Sequence, residues 1–274
     1  INNFKLDASA DTLILDDDKD LKLFREINDR YESNEFLILT VTDKNKDIFA
    51  NETLEYVHKL TTEIQNFTNV ESVTSITNIP LVSSSKKPLT ELISNIPNIF
   101  SKDIDPELAQ QEILTSPIYK DLVISEDAKT TAMQVVLKKN SALKEALLKR
   151  ESYFKKYRQD ASFENNYLSS KREYNNISEA HKQNISNIIK EIRKVQEKYT
   201  NDRYEIRLGG IPMITDDMVT FIKNDLINFG LGVLIFILAT LVIIFRKLIW
   251  VMTPVINCIY SVLFMVGLLG YLDW

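Results

Sequence analysis

Reactive side chains are few in this 274-residue chain, and they are scattered. Histidine occurs twice, at His58 and His181, and cysteine once, at Cys258. Covalent catalysis needs a nucleophile, a base within hydrogen-bond reach and a group that orients the base. No spacing in the sequence assembles such a set. Both histidines fall in helix-patterned segments with polar neighbours. Surface or seam roles therefore suit them better than metal ligation, which needs several converging donors. Asp16, Asp17, Asp18 and Asp20 could suggest a calcium loop, but the glycine and closing glutamate of an EF-hand are missing. An acidic turn that starts a helix is the simpler reading, because carboxylates favour the positive end of the helix dipole. No glycine-rich phosphate loop is present. The sequence predicts no enzyme, no cofactor and no metal. A net charge of −5 gives no reason to expect nucleic acid.

The strongest signal is at the C-terminal end. Ile227 to Phe245 holds no charged side chain, Arg246 and Lys247 interrupt, and Leu248 to Leu272 is again uncharged. A hydrocarbon core about 30 Å thick needs roughly 20 apolar helical residues. Backbone polar groups cannot stay unpaired in lipid, so each stretch predicts a transmembrane helix. The alternative, two buried helices of a soluble core, fits poorly because such helices keep a polar face. Short basic loops stay in the cytoplasm, so Arg246 and Lys247 set the topology and residues 1–220 lie outside it. Tyr271 and Trp274 suit a membrane interface. The chain has no initiator Met and reads as a piece of a larger protein. The predicted external region has no cysteine, so its own core must hold it.

Upstream, the pattern alternates between strands and helices. An extended opening strand precedes a helix near Lys19–Tyr31. Glu35–Thr42 reads as a buried strand, and Asn51 opens a helix with Leu54, Val57, Leu60, Ile64 and Phe67 on one face. Val70–Ile76 alternates as a second strand, giving a βαβ-like unit. Pro80–Pro106 is a packed connector, with a lip beside a substrate cleft as the alternative. Asp105-Pro106-Glu107 starts a helix that ends near Ser116-Pro117. Leu122–Ser125 and Thr130–Leu137 read as a β-hairpin, and Tyr204–Leu208 as a later strand.

Residues 141–200 differ, with no glycine or proline between Pro117 and Gly209. Leu143, Leu147, Phe154, Tyr157, Ala161 and Leu168 fit one heptad seam. His181, Ile185, Ile188, Ile192, Val195 and Tyr199 fit another. The expectation is an antiparallel helical hairpin turning between Phe163 and Asn176, with arms of about 40 Å. It packs on itself and projects, so replacing residues 145–196 with a short turn should leave the domain folded. After Tyr204–Leu208, Gly209 and Gly210 allow a turn with unusual dihedrals. Thr215 is the expected N-cap of a helix that runs into the first span.

The motif Leu6-Asp7-Ala8-Ser9-Ala10-Asp11-Thr12-Leu13, and the Gly209-Gly210-Ile211-Pro212 turn before a span, resemble the resistance–nodulation–division superfamily. The MMPL-like branch is the nearest, with hydrophobe and amphiphile efflux as its theme and hopanoid-type lipid transporters among its members. On this resemblance Asp7, Ala8, Asp11, Gly209, Gly210 and Pro212 are the structural or coupling positions. The resemblance implies an α+β porter domain of ferredoxin-like βαβ units, carrying the helical hairpin as an insertion and followed by two transmembrane helices. The corresponding division is a first porter part over 1–140, the hairpin over 141–200, a porter strand and coupling helix over 201–225, and spans over 226–246 and 248–272. It implies a multi-pass protein of the bacterial inner membrane exporting lipids or other hydrophobic compounds, driven by proton flow. Its acidic relay residues would lie elsewhere. Expected partners are membrane lipids, a hydrophobic substrate, a second copy in a homo-oligomer, and a periplasmic partner or neighbouring subunit met by the hairpin. The competing expectation is a non-transporting, membrane-anchored regulatory subunit that docks a partner through the same hairpin.

Overall fold

The computed structural model describes residues 20, 23, 27, 30, 34–45, 48–85 and 96–271. Among them are four strands and six α-helices. The chain divides into two units, one covering Glu32–Asp216 and the other holding the helical residues from Asp217 onward. The predicted opening strand lies outside the described residues. Of the expected helix near Lys19–Tyr31, the four described positions are helical.

The first unit is built on a four-stranded antiparallel sheet. β1 (Phe36–Asp43), β2 (Val70–Thr74), β3 (Thr130–Leu137) and β4 (Tyr204–Gly209) lie in the order β2-β3-β1-β4. Alternation in β1 puts Leu37, Leu39 and Val41 on the buried face, and the register sets Leu37 opposite Val135 and Leu39 opposite Met133 and Leu208. The period of two sends Ile38, Thr40 and Thr42 to the other face. Helix α1 (Asn51–Gln65) covers the buried face with Leu54, Val57, Leu60 and Ile64, the stripe expected from its 3.6-residue period. The expected β1–α1–β2 unit forms, but its strands are not neighbours, because β3 sits between them and is antiparallel to both.

Helix α2 (Pro106–Thr115) starts as predicted. Pro106 occupies the first turn, where it loses no hydrogen bond, and Asp105 caps by accepting from the Glu107 amide. The stretch before it is packed through buried Ile79, Leu81 and Ser84, and the Glu112 carboxylate accepts from the amides of Val82, Ser83 and Ser84. Of the loosely patterned residues, 86–95 lie outside the described set, Ile99 packs against the core, and Ile96 and Phe100 are exposed. The Leu122–Ser125 arm of the predicted hairpin does not form a regular strand. Its Ile124 makes isolated bridges with Lys120 and Thr131, the Ala132 amide donates to the Val123 carbonyl, and the Ser125 amide donates to the Thr130 carbonyl.

Both outer strands are closed by side-chain amides. Gln65 accepts from the Val73 amide and donates to the Glu71 carbonyl, and Asn78 donates to the Val73 carbonyl. Across the sheet, Gln196 donates to the Ile206 carbonyl. These contacts occupy backbone groups that would otherwise invite a foreign strand.

The hairpin exists, but its geometry corrects the expectation. α3 (Ser141–Gln159) is capped by Asn140, which accepts from Leu143; a single 3-10 turn follows at Ala161–Phe163; α4 runs from Glu164 to Tyr199. The reversal therefore falls at 160–163, earlier than the expected interval of 163–176 and meeting it only at Phe163. The arms are unequal, at 19 and 36 residues, or about 28 and 54 Å. The second predicted seam is not a hairpin seam: Ile188, Ile189, Ile192 and Val195 join the sheet core. A stripe at heptad spacing can pack on a sheet as well as on a helix, and here the sheet takes it. Only α3 and the first half of α4 stand apart from the core. There the contact is made by buried Ala146 and Ser170, by Tyr167 against Phe154 and Tyr157, and by Lys149 with Glu173. Ala161 and Leu168, assigned to the first seam, are exposed.

Candidate membrane spans and coupling turn

Strand β4 carries the chain from the end of α4 to the first membrane-capable helix, and it is fixed at both ends. At its start, Asp43 is fully buried and accepts from Arg203 Nε and Nη2, from the Thr53 hydroxyl and from the Asn45 amide. Burial alone would raise the Asp43 carboxyl, but these donors bring it below its ordinary value. Arg203 also bonds Glu52 at 2.5 Å and lies over the Tyr204 ring. Tyr204 stacks on Tyr56, whose hydroxyl donates to the Tyr199 carbonyl at the end of α4. Burial, helped by Tyr204 and Tyr199, pushes the Tyr56 hydroxyl up to about 12. Tyr199 in turn donates to Glu63, which Lys198 also holds. One connected set of contacts thus joins β1, α1, the C-terminal end of α4 and β4.

At the far end of β4 stand Gly209 and Gly210. Gly210 has φ +121°, and a Cβ there would lie 3.0 Å from the Phe36 carbonyl oxygen and 3.2 Å from Leu37 Cα. Only glycine fits, for both dihedral and space. Gly209 is different, since its nearest neighbour to an added Cβ is 3.9 Å away. Helix α5 (Ile211–Phe245) begins directly after the turn, with Pro212 in its first turn and the Ile214 amide donating to the Gly210 carbonyl. Thr215 is therefore not the N-cap. It lies inside the helix and its hydroxyl returns to the Ile211 carbonyl. The earlier start follows from proline's fixed φ, which suits the first helical turn. Met213 still packs against the sheet core.

α5 is continuous for 35 residues, about 52 Å, and its apolar part alone reaches about 28 Å. It and α6 (Leu248–Tyr271) are both long and apolar enough to cross a membrane. Phe229, Leu231, Val233, Ile235, Phe236, Trp250, Tyr260 and Phe264 are all more than half exposed, so apolar surface points outward on several faces of these helices. Such all-round apolar exposure matches lipid as solvent. Arg246 separates the helices with φ +50°, the left-handed position that ends helices, and its amide donates to the Val242 carbonyl. Lys247 follows, and its carbonyl accepts from Trp250. Pro254 lies inside α6. Cys258 is exposed on the same helix.

Of the other predicted positions, Asp7, Ala8 and Asp11 lie outside the described residues, as do Asp16, Asp17 and Asp18. His58 contacts the Phe100 ring, and His181 pairs with Glu35 at 3.1 Å. Among the described residues no group of His, Cys, Asp or Glu converges as a metal site. Sequence reasoning did not find the Asp43–Arg203 pair. A single acid at a strand end and an arginine 160 residues later give no spacing signal. An alternating strand that ends in a buried-phase aspartate was the one available hint.

Residues 172–273 match the MMPL family model, a stretch covering most of α4, β4, the Gly209-Gly210 turn and both apolar helices. The motif around Asp7 and Asp11 lies outside that match. No curated protein and no solved structure matches the chain.

Proposed function

We propose that this MMPL-type membrane protein works as part of a secondary active exporter of the resistance–nodulation–division kind, moving lipids or other hydrophobic compounds and driven by proton flow. The observation that carries the reading is the unbroken helix that leaves the Gly210 turn and becomes the first apolar span, within the segment that matches the family. The antiparallel order β4-β1-β3-β2, with helices between β1 and β2 and between β3 and β4, supports a ferredoxin-like porter unit. The basic pair Arg246-Lys247 supports a cytoplasmic loop, with residues 1–220 in the periplasm and the spans in the inner membrane. In this reading β4 and α5 relay movement between porter unit and membrane, and the hairpin meets a periplasmic partner or a neighbouring copy. A non-transporting regulatory subunit is the second reading, favoured by one feature: α3 adds no residue to the core, as expected of a part kept for docking.

The test is transport in everted membrane vesicles containing the full-length protein, with a fluorescent lipid as cargo. A proton gradient should drive its uptake, and a protonophore should abolish it. Uptake that ignores the gradient would refute proton coupling, and no uptake of any hydrophobic probe would favour the regulatory subunit. Topology has its own test. A cysteine at Gln159, exposed at the hairpin end, should react with an impermeant thiol reagent in intact cells, and one at Lys247 should not. The reverse pattern would invert the orientation. Ser84 is unsuitable for labelling, being buried with its hydroxyl on Glu112.

A further inference from the structure

Asn257 lies about 14 Å along α6 from Leu248, close to the middle of a hydrocarbon core about 30 Å thick. Two hydroxyls on the same side are satisfied within the helix: Thr253 donates to the Ile249 carbonyl, and Ser261 to the Asn257 carbonyl. The Asn257 carboxamide bonds no group among the described residues. α5 has little to offer it. Between Ile227 and Phe245 its polar side chains are Asn228, at the edge of the apolar stretch, and Thr240, whose hydroxyl donates to the Phe236 carbonyl. A carboxamide left bare at mid-membrane depth is costly, because lipid supplies neither donor nor acceptor.

Asn257 also belongs to a pattern. Trp250, Thr253, Asn257, Tyr260 and Phe264 follow one another at alternating spacings of three and four, the a and d positions of a heptad, with Asn257 at the central a. All five are exposed, Trp250, Tyr260 and Phe264 by more than half. At about 100° per residue, Val251 and Val255 fall on the opposite side of the helix. There Val251 is buried and Val255 half-buried.

We propose that this face of α6 packs against the same face of α6 in a second copy, with the two Asn257 carboxamides hydrogen-bonded to each other. Three features select a copy over an unrelated helix. Copies of one chain enter the membrane in one orientation, so their α6 helices run parallel and Asn257 meets Asn257 at equal depth. A carboxamide both donates and accepts, so two identical ones satisfy each other. A single Asn at an a position fixes register and pairing in parallel heptad helices, and membrane helices commonly cross at the same angle. The proposal gives the expected homo-oligomer a contact, and it rests on the reading that α6 spans the membrane.

The test is disulfide trapping of the full-length protein in native membranes, using single cysteines in a background free of others, Cys258→Ser included. On oxidation with copper phenanthroline, Thr253→Cys, Tyr260→Cys and Phe264→Cys should each give a linked dimer. Ile259→Cys and Val262→Cys, on the far side of the helix, should not. In lipid vesicles, adding Asn257→Leu to Thr253→Cys should raise the protein-to-lipid ratio needed for half-maximal linking by about three- to thirtyfold. Asn257→Gln, which keeps the carboxamide, should raise it less. No dimer at the three seam positions, equal linking at Ile259 and Val262, or a ratio unmoved by Asn257→Leu would overturn the proposal. The other occupants give their own results. Seam cysteines that react with a small aqueous thiol reagent without linking would make this face the wall of a wet cavity. Seam cysteines that neither link nor react would place a different helix or lipid there. Both results overturn the proposal. Vesicle transport and the Gln159 and Lys247 labelling are read separately, so failure here leaves the exporter reading standing, and the converse.

Discussion

Gly209 and Gly210 are adjacent and chemically identical, yet the structure predicts opposite outcomes for the same substitution. Gly210→Ala places a Cβ against two backbone atoms of β1, at 3.0 and 3.2 Å. Backbone in the middle of a sheet cannot yield as a side-chain tip can. The φ of +121° adds strain of about 1–3 kcal/mol for any residue with a Cβ, and overpacking adds about 1–3 kcal/mol. Together these give roughly 2–6 kcal/mol, or a melting point lower by about 4–24 °C for a domain of this size. Gly209→Ala meets no atom closer than 3.9 Å and no positive φ. It should be neutral, or stabilising by up to about 1 kcal/mol through the unfolded chain. Scanning calorimetry on the detergent-solubilised protein measures both. Gly210→Val should be worse than Gly210→Ala and should impair vesicle transport more than abundance, because the turn joins β4 to the span. A Gly210→Ala variant that melts with wild type, or a Gly209→Ala variant that melts as low as Gly210→Ala, would refute the assignment of strain to position 210.

The remaining predictions concern the hairpin and the buried acids. Replacing residues 141–180 with a short Gly/Ser linker should leave the domain folded, because His181 pairs with Glu35, whose carbonyl binds Leu137 at the end of β3, so the gap to close is short. Extending the deletion to Gln196 should abolish cooperative unfolding, since it removes Ile188, Ile189, Ile192 and Val195 from the core; Ile192→Ala alone should cost about 2–5 kcal/mol by chemical denaturation. Asp43 and Glu112 have lowered pKa values in the folded state, so each stabilises the fold above its ordinary value of 3.8 or 4.5 and loses that contribution as pH falls below it. Acid titration of unfolding should show a steeper loss below about pH 4.5 in wild type than in Glu112→Gln, and equal slopes would remove Glu112 from the account.

What could be read in advance follows from the range of each signal. The spans declare themselves because lipid forces composition on every residue, and twenty consecutive positions repeat the message. β1, α1 and the start of α2 are legible for a similar reason: alternation, a 3.6-residue stripe and Asp-Pro-Glu are all local. Thr215 shows how local reasoning misleads, since a good capping residue loses to the glycine turn and proline that start the helix four residues earlier. Leu122–Ser125 had the composition of a strand, but β2 already pairs with Gln134–Leu137, so this arm meets β3 only at its first residues, through Ile124 and Thr131. The Asp43–Arg203 pair left almost no local trace, as its meaning depends on two strand ends meeting across the sheet.

The hairpin is the more instructive case. A seam of Ile185, Ile188, Ile192, Val195 and Tyr199 at heptad spacing states that one face of a helix is apolar, and it does not state what covers that face. Two answers were open, a partner helix or the sheet, and the length of the arms decides between them. α4 outruns α3 by 17 residues, so its last five turns extend beyond the reach of α3. Those are the turns whose isoleucines enter the core. One long helix therefore serves two ends: its C-terminal half is core, tied to β4 through Tyr199 and Tyr56, and its N-terminal half holds α3. The C-terminal end of that helix is seated beside Arg203 and Tyr204, to which Tyr56 links it. Those residues open the strand that leads, six residues later, to Gly210 and the membrane helix.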